Sequence, residues 1–439
     1  MAGTTVDAAG TAIGLRDGWT RDRVLALQRR RLRTLLAHAS RRSPYYREVL
    51  GPDAADRPLA ELPVLTKTTL MEQFDRVVCD PRLRRADLEA HLAGEDPGRS
   101  FLGAYRVATT SGTTGRRALV VLTEREAATW RAVTERAGRR AGMRPGQRVA
   151  AIGSPSPAHL TRQVLAPPGA PAPLTAATPL PRLAAALDAM RPDVLICAAG
   201  LGGLLADEQV AGRLHITPRS VAFGSEALTA DLRRRVRAAW GVEPVGMYAA
   251  TEAPVIASST PEHPELEVAE DVVVVEVVDE DGRPVPAGTP GARVLVTNLV
   301  DRAQPLVRYE LTDAVTESVR PNPAGRPWRC LASVDGRTAD ILHLPGPDGA
   351  RVPVHPSVLG SAVAPFPGVG QYAFVHDATG LHAQVVLGPG AAADVPERLR
   401  AALVAAVTST GALPPPVDVR PVPSLATAPG AKFRLVRSG

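Results

Sequence analysis

Apolar positions along this chain switch between helical and strand periods. From Asp22 to Ser40, Val24, Leu25, Leu32, Leu35 and Leu36 recur at helical spacing, which predicts an amphipathic helix ending before Ser43-Pro44, where proline disfavours further helix. Thr123-Glu124-Arg125-Glu126 reads as a capping box, in which threonine and glutamate satisfy the free backbone donors of a helix running to about Gly142. Eight prolines between Pro155 and Pro181 predict a loop or an extended surface crossing. Short apolar runs at Asp193–Ala198, Ser220–Phe223 and Val245–Tyr248 follow, with a helix after the first and another over Thr229–Trp240. Strands alternating with helices predict a parallel α/β sheet. The texture then changes: Val272–Val278 and Val294–Thr297 are β-branched runs joined through Asp281-Gly282, which predicts antiparallel pairing. The last hundred residues predict a small α+β unit, with strands near Gln371–Val375 and Leu381–Leu387, a helix near Pro396–Thr408 and a final extended segment.

A length of 439 residues exceeds one ordinary core and predicts two domains. Hydrophobic residues at 45% and charged residues at 22% are the mixture of a globular protein rather than a disordered, collagen-like or disulfide-stapled one. No apolar stretch is long enough to cross a bilayer, and MAGTTVDAAGTAIGLRDGW lacks the basic start and apolar core of a secretory signal. Cys79, Cys197 and Cys330 are odd in number and form no CxxC pair, so a reduced, cytoplasmic protein is expected. Of the 51 cationic residues only Lys67 and Lys432 are lysines, leaving 51 − 2 = 49 arginines, a bias expected of a GC-rich genome. Arg29, Arg30, Arg31 and Arg33 are read as a solvated helix face. With aromatics at 4% there is little to stack on bases, so nucleic acid is set aside.

The common catalytic motifs are missing. No Walker A loop, GxGxxG, HExxH or GxSxG occurs, and the nine histidines lack metal-ligand spacing. What remains is Thr109-Thr110-Ser111-Gly112-Thr113-Thr114-Gly115, after a predicted strand at Ala104–Ala108. Small residues let such a loop turn tightly, and its hydroxyls and N–H groups can bind phosphate oxygens.

With that loop the sequence resembles the adenylate-forming superfamily of acyl-CoA synthetases, peptide-synthetase adenylation domains and luciferases, and within it the phenylacetate–CoA ligase-like branch. Thr110–Gly115 matches the TSGTTG phosphate loop, although Arg116-Arg117-Ala118 replaces the usual downstream lysine. Gly224-Ser225-Glu226-Ala227-Leu228 resembles the adenine-side turn, and Tyr248-Ala249-Ala250-Thr251-Glu252 is similar to YGxTE with alanine for glycine. Arg308-Tyr309 with Asp313 resembles RYxxxD, and Gly336-Arg337-Thr338-Ala339-Asp340 resembles the GRxxD join between domains. Gly430-Ala431-Lys432-Phe433-Arg434 resembles the segment that carries the catalytic lysine. Upstream, Ser43-Pro44-Tyr45-Tyr46 and Leu62–Lys67 also match the branch. The likeness runs from about residue 20 to 437, and its strength lies in six motifs keeping their order.

The resemblance implies an α/β fold: a large N-terminal domain over residues 1–336, with parallel sheets and a small β-rich subdomain, and a small mobile α+β domain over 337–439. It implies two half-reactions. A carboxylic acid, by analogy an aryl or heteroaryl one, reacts with ATP to give an acyl-adenylate, and CoA then takes the acyl group as a thioester. An amine, a hydroxyl, a carrier-protein thiol or nitrite in natural-product biosynthesis, or adenylation of a deazaflavin hydroxyl, are the alternatives, and a non-catalytic nucleotide-binding homologue stands last. Joining anionic reactants makes catalysis mostly positioning and charge stabilisation. Lys432 is the expected catalytic cation, with Thr251 and Glu252 beside it and Glu252 suited to hold Mg²⁺. Thr110, Ser111, Gly112, Thr113, Thr114, Gly115, Gly224, Ser225, Glu226, Tyr248, Asp313 and Arg337 are expected to bind the nucleotide, Asp313 through its ribose hydroxyls. Ser154, His159 and Ala249 are candidate walls of the acid pocket. Arg308 reads equally as an ion-pair partner or a phosphate ligand. Lys67 is set aside as structural or peripheral, and Asp271 and Glu276 as the solvated face of a strand. Ala339, where the family commonly has Asp or Lys, and the Pro/Gly-rich Leu344–Val354 stretch are departures that bear on the second half-reaction. A homodimer is implied as well.

Overall fold

Side-chain caps decide where several helices begin. Thr20 accepts from the Arg23 N–H to open Arg21–Arg42, and Ser43 ends that helix and accepts from the Tyr46 N–H to open Pro44–Leu50. Both halves of the Thr123/Glu126 capping box are formed, and the helix spans Glu124–Arg140. Thr229 caps Ala230–Trp240, which stops at Gly241 in the left-handed region that glycine tolerates. The computed structural model describes residues 13–51, 53–110, 118–153, 158–160, 164, 174–175, 178, 180–337, 342–354, 356–363, 366, 369–388, 391–425 and 436–438.

A nine-stranded sheet organises the first three-quarters of the chain. Across it lie Asp313–Glu317, Cys330–Arg337, His263–Val268, Ala257–Thr260, Val245–Tyr248, Ser220–Gly224, Val194–Ala198, Val149–Gly153 and Leu174–Thr175. The five strands from Leu174–Thr175 to Val245–Tyr248 are parallel, and the rest join antiparallel. Val245–Tyr248 is therefore the border strand, parallel on one side and antiparallel on the other. The helix Ala199–Val210 lies close on the sheet because Gly202 has no side chain; a Cβ there would come within 2.0 Å of the Phe223 ring. The predicted proline-rich crossing differs in one respect: Leu174–Thr175 pairs with Ile152-Gly153 as the sheet's edge strand, and Leu180–Met190 is helical.

The valine-rich run forms a separate antiparallel sheet as predicted, Val273–Val278 beside Arg293–Asn298 and then Tyr309–Leu311. Tyr105–Thr109 and Leu119–Thr123 pair antiparallel, with the candidate phosphate loop between them in sequence. After Arg337 come the hairpin Leu342–Pro345/Arg351–Val354 and a sheet in the order Val417–Pro421, Gly380–Leu387, Val369–Asp377, Val436–Ser438, with the helices Pro356–Val363 and Val395–Ser409. Leu359, Phe374, Leu381, Leu399 and Leu403 form an apolar cluster drawn only from this stretch.

Two expectations fail, both for the same reason. Asp271 and Glu276 are not on a solvated face. Asp271 is fully buried and accepts from Arg136 at 3.0 and 2.8 Å and from Arg16 at 2.5 Å. Glu276 pairs with the buried Arg308 at 3.1 Å. Arg31 leaves the solvated run as well, donating to the Asp271 carbonyl at 2.5 Å, with its guanidinium pushed down to about 10 by burial and by Arg16. At these positions arginine guanidinia neutralise the carboxylates, which meets the demand for pairing inside a protein.

Candidate active site

The carboxyl ends of parallel strands are where α/β sheets bind ligands, at the point where strand direction changes. Here that place is the end of Val245–Tyr248 and of its neighbour Ser220–Gly224. Beyond the latter, Ser225 takes φ of +69°, a left-handed conformation uncommon for a residue with a side chain and held only where the surroundings enforce it. Ser225 is exposed, and Glu226 Oε2 accepts from the Gly200 N–H at 2.6 Å, at the first turn of Ala199–Val210. The Gly224–Glu226 turn is thus anchored to the helix beside it.

After Tyr248 the chain makes a tight loop. The Ala250 N–H donates to Ala253 O at 3.0 Å, the Ala253 N–H donates to Ala250 O at 3.2 Å, and Thr251 and Glu252 form the tip. Ala249 is half-buried, Thr251 likewise, and Glu252 is buried. Tyr309 O–H donates to Glu252 Oε1 at 2.7 Å, and Asn298 Nδ2 donates to the Glu252 carbonyl at 3.0 Å. Burial and the adjacent carboxylate push the Tyr309 hydroxyl far above its ordinary range, so it stays a donor.

Asp313 opens the outermost strand, directly opposite Arg337 in the ladder. Tyr248 O–H reaches across and donates to Asp313 Oδ2 at 2.8 Å; burial, then Asp313, holds this hydroxyl well above the usual tyrosine range. So three of the motifs named from sequence meet in space. The Tyr248–Glu252 loop, Asp313 and the backbone of Arg337 converge at one end of the sheet, and Tyr309 ties the RYxxxD segment back to Glu252.

The phosphate-loop candidate starts at Thr110, whose N–H donates to Ala118 O at 3.0 Å and whose Oγ1 accepts from the Ala118 N–H at 2.9 Å. Ser111, Gly112, Thr113, Thr114 and Gly115 lie outside the described residues, as do Ser154, Ala339 and Lys432, and so does the side chain of Arg337. His159 is half-buried, and the carbonyl of its neighbour Ala158 accepts from Thr109 N–H at 3.0 Å, next to the loop's entrance. Lys67, set aside on sequence, needs correcting: its Nζ donates to Thr110 Oγ1 at 3.4 Å, so it stands at the neck of the loop. Arg308 is a brace rather than a ligand here, donating to the Ala60 carbonyl at 2.9 Å and the Leu62 carbonyl at 2.6 Å besides its Glu276 pair. Asn298 was missed because no motif marks it.

Glu252 is a hard oxygen donor with room in its lone pairs beyond the Tyr309 bond. Among the described residues no group of three His, Cys, Asp or Glu could hold a metal ion. A magnesium ion fits such a site as it commonly does, by one carboxylate together with nucleotide phosphates.

The sequence profile of the family described as AMP-binding enzyme matches residues 104–297, from the first antiparallel pair through the Glu252 loop. A phenylacetate-coenzyme A ligase of Thermus thermophilus is 26% identical over 372 residues, covering 80% of this chain and 77% of that protein. Residues 104–297 therefore carry the signature of an AMP-binding enzyme, and over most of its length the chain is similar to phenylacetate-coenzyme A ligases. Solved structures agree on the fold. A 2-hydroxyisobutyryl-CoA ligase in the postadenylation state with R3-HIB-AMP matches at a TM-score of 0.73 and 23% identity, covering 97% of this chain and 91% of that one. The same ligase in the thioesterification state, with 2-HIB-AMP and CoA, matches at 0.57 and 23% identity over 96% and 91%. No described helix is long and apolar enough to cross a membrane.

Proposed function

We propose that this protein is an ATP-dependent acyl-CoA ligase. Its first step would join a carboxylate oxygen to the α-phosphorus of ATP and release pyrophosphate; its second would let the CoA thiol attack the acyl-adenylate, releasing AMP. The observation that carries the reading is the Tyr248–Asp313 bond at 2.8 Å, at the carboxyl end of the border strand and beside the Glu252 loop. It leaves a carboxylate held in one orientation, ready to accept from a ribose. On this reading Asp313 and Arg337 hold the ribose side, Thr110 with Ser111–Gly115 the phosphates, and Gly224, Ser225 and Glu226 the adenine side. Glu252 would hold magnesium, which supplies charge neutralisation when bound. Lys432 would reach the reacting phosphate from a C-terminal domain beginning at about residue 337, and Thr251 would line the same space. The apolar cluster confined to residues after 341 supports such a division. That C-terminal domain would change position between the two steps.

An aromatic or heteroaromatic acid is favoured by the likeness to a phenylacetate ligase, and Ser154, His159 and Ala249 are the residues proposed to meet it. An acid-by-acid ATP–pyrophosphate exchange screen, over aryl acids and branched hydroxy acids, tests the first step. Consumption of CoA with the active acid tests the second. Exchange with no acid would overturn the reading, and AMP release without thioester would move the acceptor to an amine, a hydroxyl or a carrier-protein thiol. Lys432→Ala is expected to abolish most of the exchange; exchange at the unmodified rate would remove that residue from the mechanism.

A further inference from the structure

The Glu252 loop is short, carries two alanines, and would leave its carboxylate free to rotate were nothing else attached to it. Two groups from outside the loop hold it. Tyr309 O–H donates to the carboxylate at 2.7 Å, and Asn298 Nδ2 donates to the main-chain carbonyl of the same residue at 3.0 Å. Both holders stand on the valine-rich antiparallel sheet, one at the end of Arg293–Asn298 and the other at the start of Tyr309–Leu311. Asn298 is itself fixed: its Nδ2 also donates to Asp301 Oδ2 at 2.7 Å, and its Oδ1 accepts from the N–H groups of Val300 and Asp301 at 3.0 and 3.2 Å. Asp301 is pinned in turn by the Trp130 indole N–H at 2.9 Å. Tyr309 is 2% exposed, and its strand bridges to Leu65, so its ring has no latitude.

We infer that Tyr309 is a positioning residue that sets the orientation of the Glu252 carboxylate toward the cation of a metal–ATP complex, with Asn298 fixing the backbone from which that carboxylate projects. This rests on the proposed ATP-dependent reading. Such outer partners of a metal-holding carboxylate typically matter 10–100-fold for metal affinity without touching the metal. The O–H is the working part, since phenylalanine fills the same volume.

The test uses the full-length chain as Tyr309→Phe, with Tyr46→Phe as the control. Tyr46 is equally buried, and its hydroxyl spans the same segment, donating to the Pro305 carbonyl and accepting from the Val307 N–H, but it does not reach Glu252. Manganese in place of magnesium is titrated with ATP and followed by its electron paramagnetic resonance, and exchange activity is followed against magnesium concentration. Tyr309→Phe should weaken retention of the protein–ATP–manganese complex about tenfold and move the magnesium activation midpoint upward by a similar factor. Its rate at saturating magnesium should stay within about twofold of wild type. Tyr46→Phe should leave both curves in place. If Tyr309→Phe and Tyr46→Phe give the same manganese curve, Tyr309 serves packing alone and the inference fails while the ligase reading stands. If the wild-type protein itself retains no manganese with ATP, both fall together.

Discussion

Tyr248 and Asp313 are 65 positions apart in sequence, yet the phenol of one donates to the carboxylate of the other at 2.8 Å. If that bond orients Asp313 for a ribose, the two residues work as a unit and their mutations should not add. Tyr248→Phe is expected to lower kcat/KM for ATP about tenfold, the size of one hydrogen bond to a charged group. Asp313→Ala should lower it by about a hundredfold or more, because two ribose contacts go with it. The double variant should resemble Asp313→Ala alone. A double-mutant cycle in the exchange assay checks this, and full additivity would mean the phenol does nothing for the nucleotide.

Asp301 carries a pH signature. Burial, then the nearby Glu126 charge, pushes its carboxyl well above the ordinary range, against the Trp130 and Asn298 bonds that pull it down. The folded state therefore binds a proton that the unfolded chain gives up near pH 4. The resulting stability is complete below that pH and is lost as pH rises through the folded value. Asp301→Asn removes the titration. Whatever its absolute stability, its melting temperature relative to wild type should improve from pH 5 to pH 8. A constant difference across that range would contradict the assignment.

Gly202→Ala tests the closeness of helix and sheet. The added methyl would meet the Phe223 ring at 2.0 Å, so either the helix shifts or the ring does. Overpacking of this kind costs about 1–3 kcal/mol, and a lowered denaturation midpoint should report it. Phe223 directly precedes Gly224-Ser225, so KM for ATP should rise in the same variant.

Asp271→Ala should be among the most damaging single changes away from the site. Arg136 and Arg16 would be left facing each other around the missing carboxylate, and breaking a buried pair in this way costs about 3–5 kcal/mol. Arg136 and Arg16 hold the Asp271 carboxyl below its ordinary range against the opposing effect of burial, so its contribution is present above about pH 4 and is lost on acidification. Urea midpoints at pH 7 and at about pH 2.5 should differ less in Asp271→Ala than in wild type.

Much of this architecture was readable from the chain alone. Val245–Tyr248 and the pairing of Val273–Val278 with Arg293–Asn298 appear where the apolar pattern predicted, because period and β-branching are local signals. The Thr123/Glu126 cap was legible for the same reason. Asp271 and Glu276 were not, since a buried carboxylate met by a distant arginine alternates with valine just as a solvated one does. The separation of 135 positions from Asp271 to Arg136 hides the partner that distinguishes the two cases. Lys67 failed similarly: its relation to Thr110 exists only once the Lys67–Glu72 helix and the first antiparallel pair are side by side. Tyr309 lay inside a recognised motif, yet its contact with Glu252 depends on sheet geometry that no spacing rule conveys.

The rung shared by Asp313 and Arg337 has a consequence for timing. Arg337 ends the strand Cys330–Arg337; on the proposed reading, with Asp313 clamping the sugar and a domain moving about this join, the axle is bolted to the clamp. A nucleotide settling on Asp313 would stiffen the axle before the tail turns, and one leaving would slacken it. On that reading grip and hinge are one joint, and the cargo would tell the machine when to move.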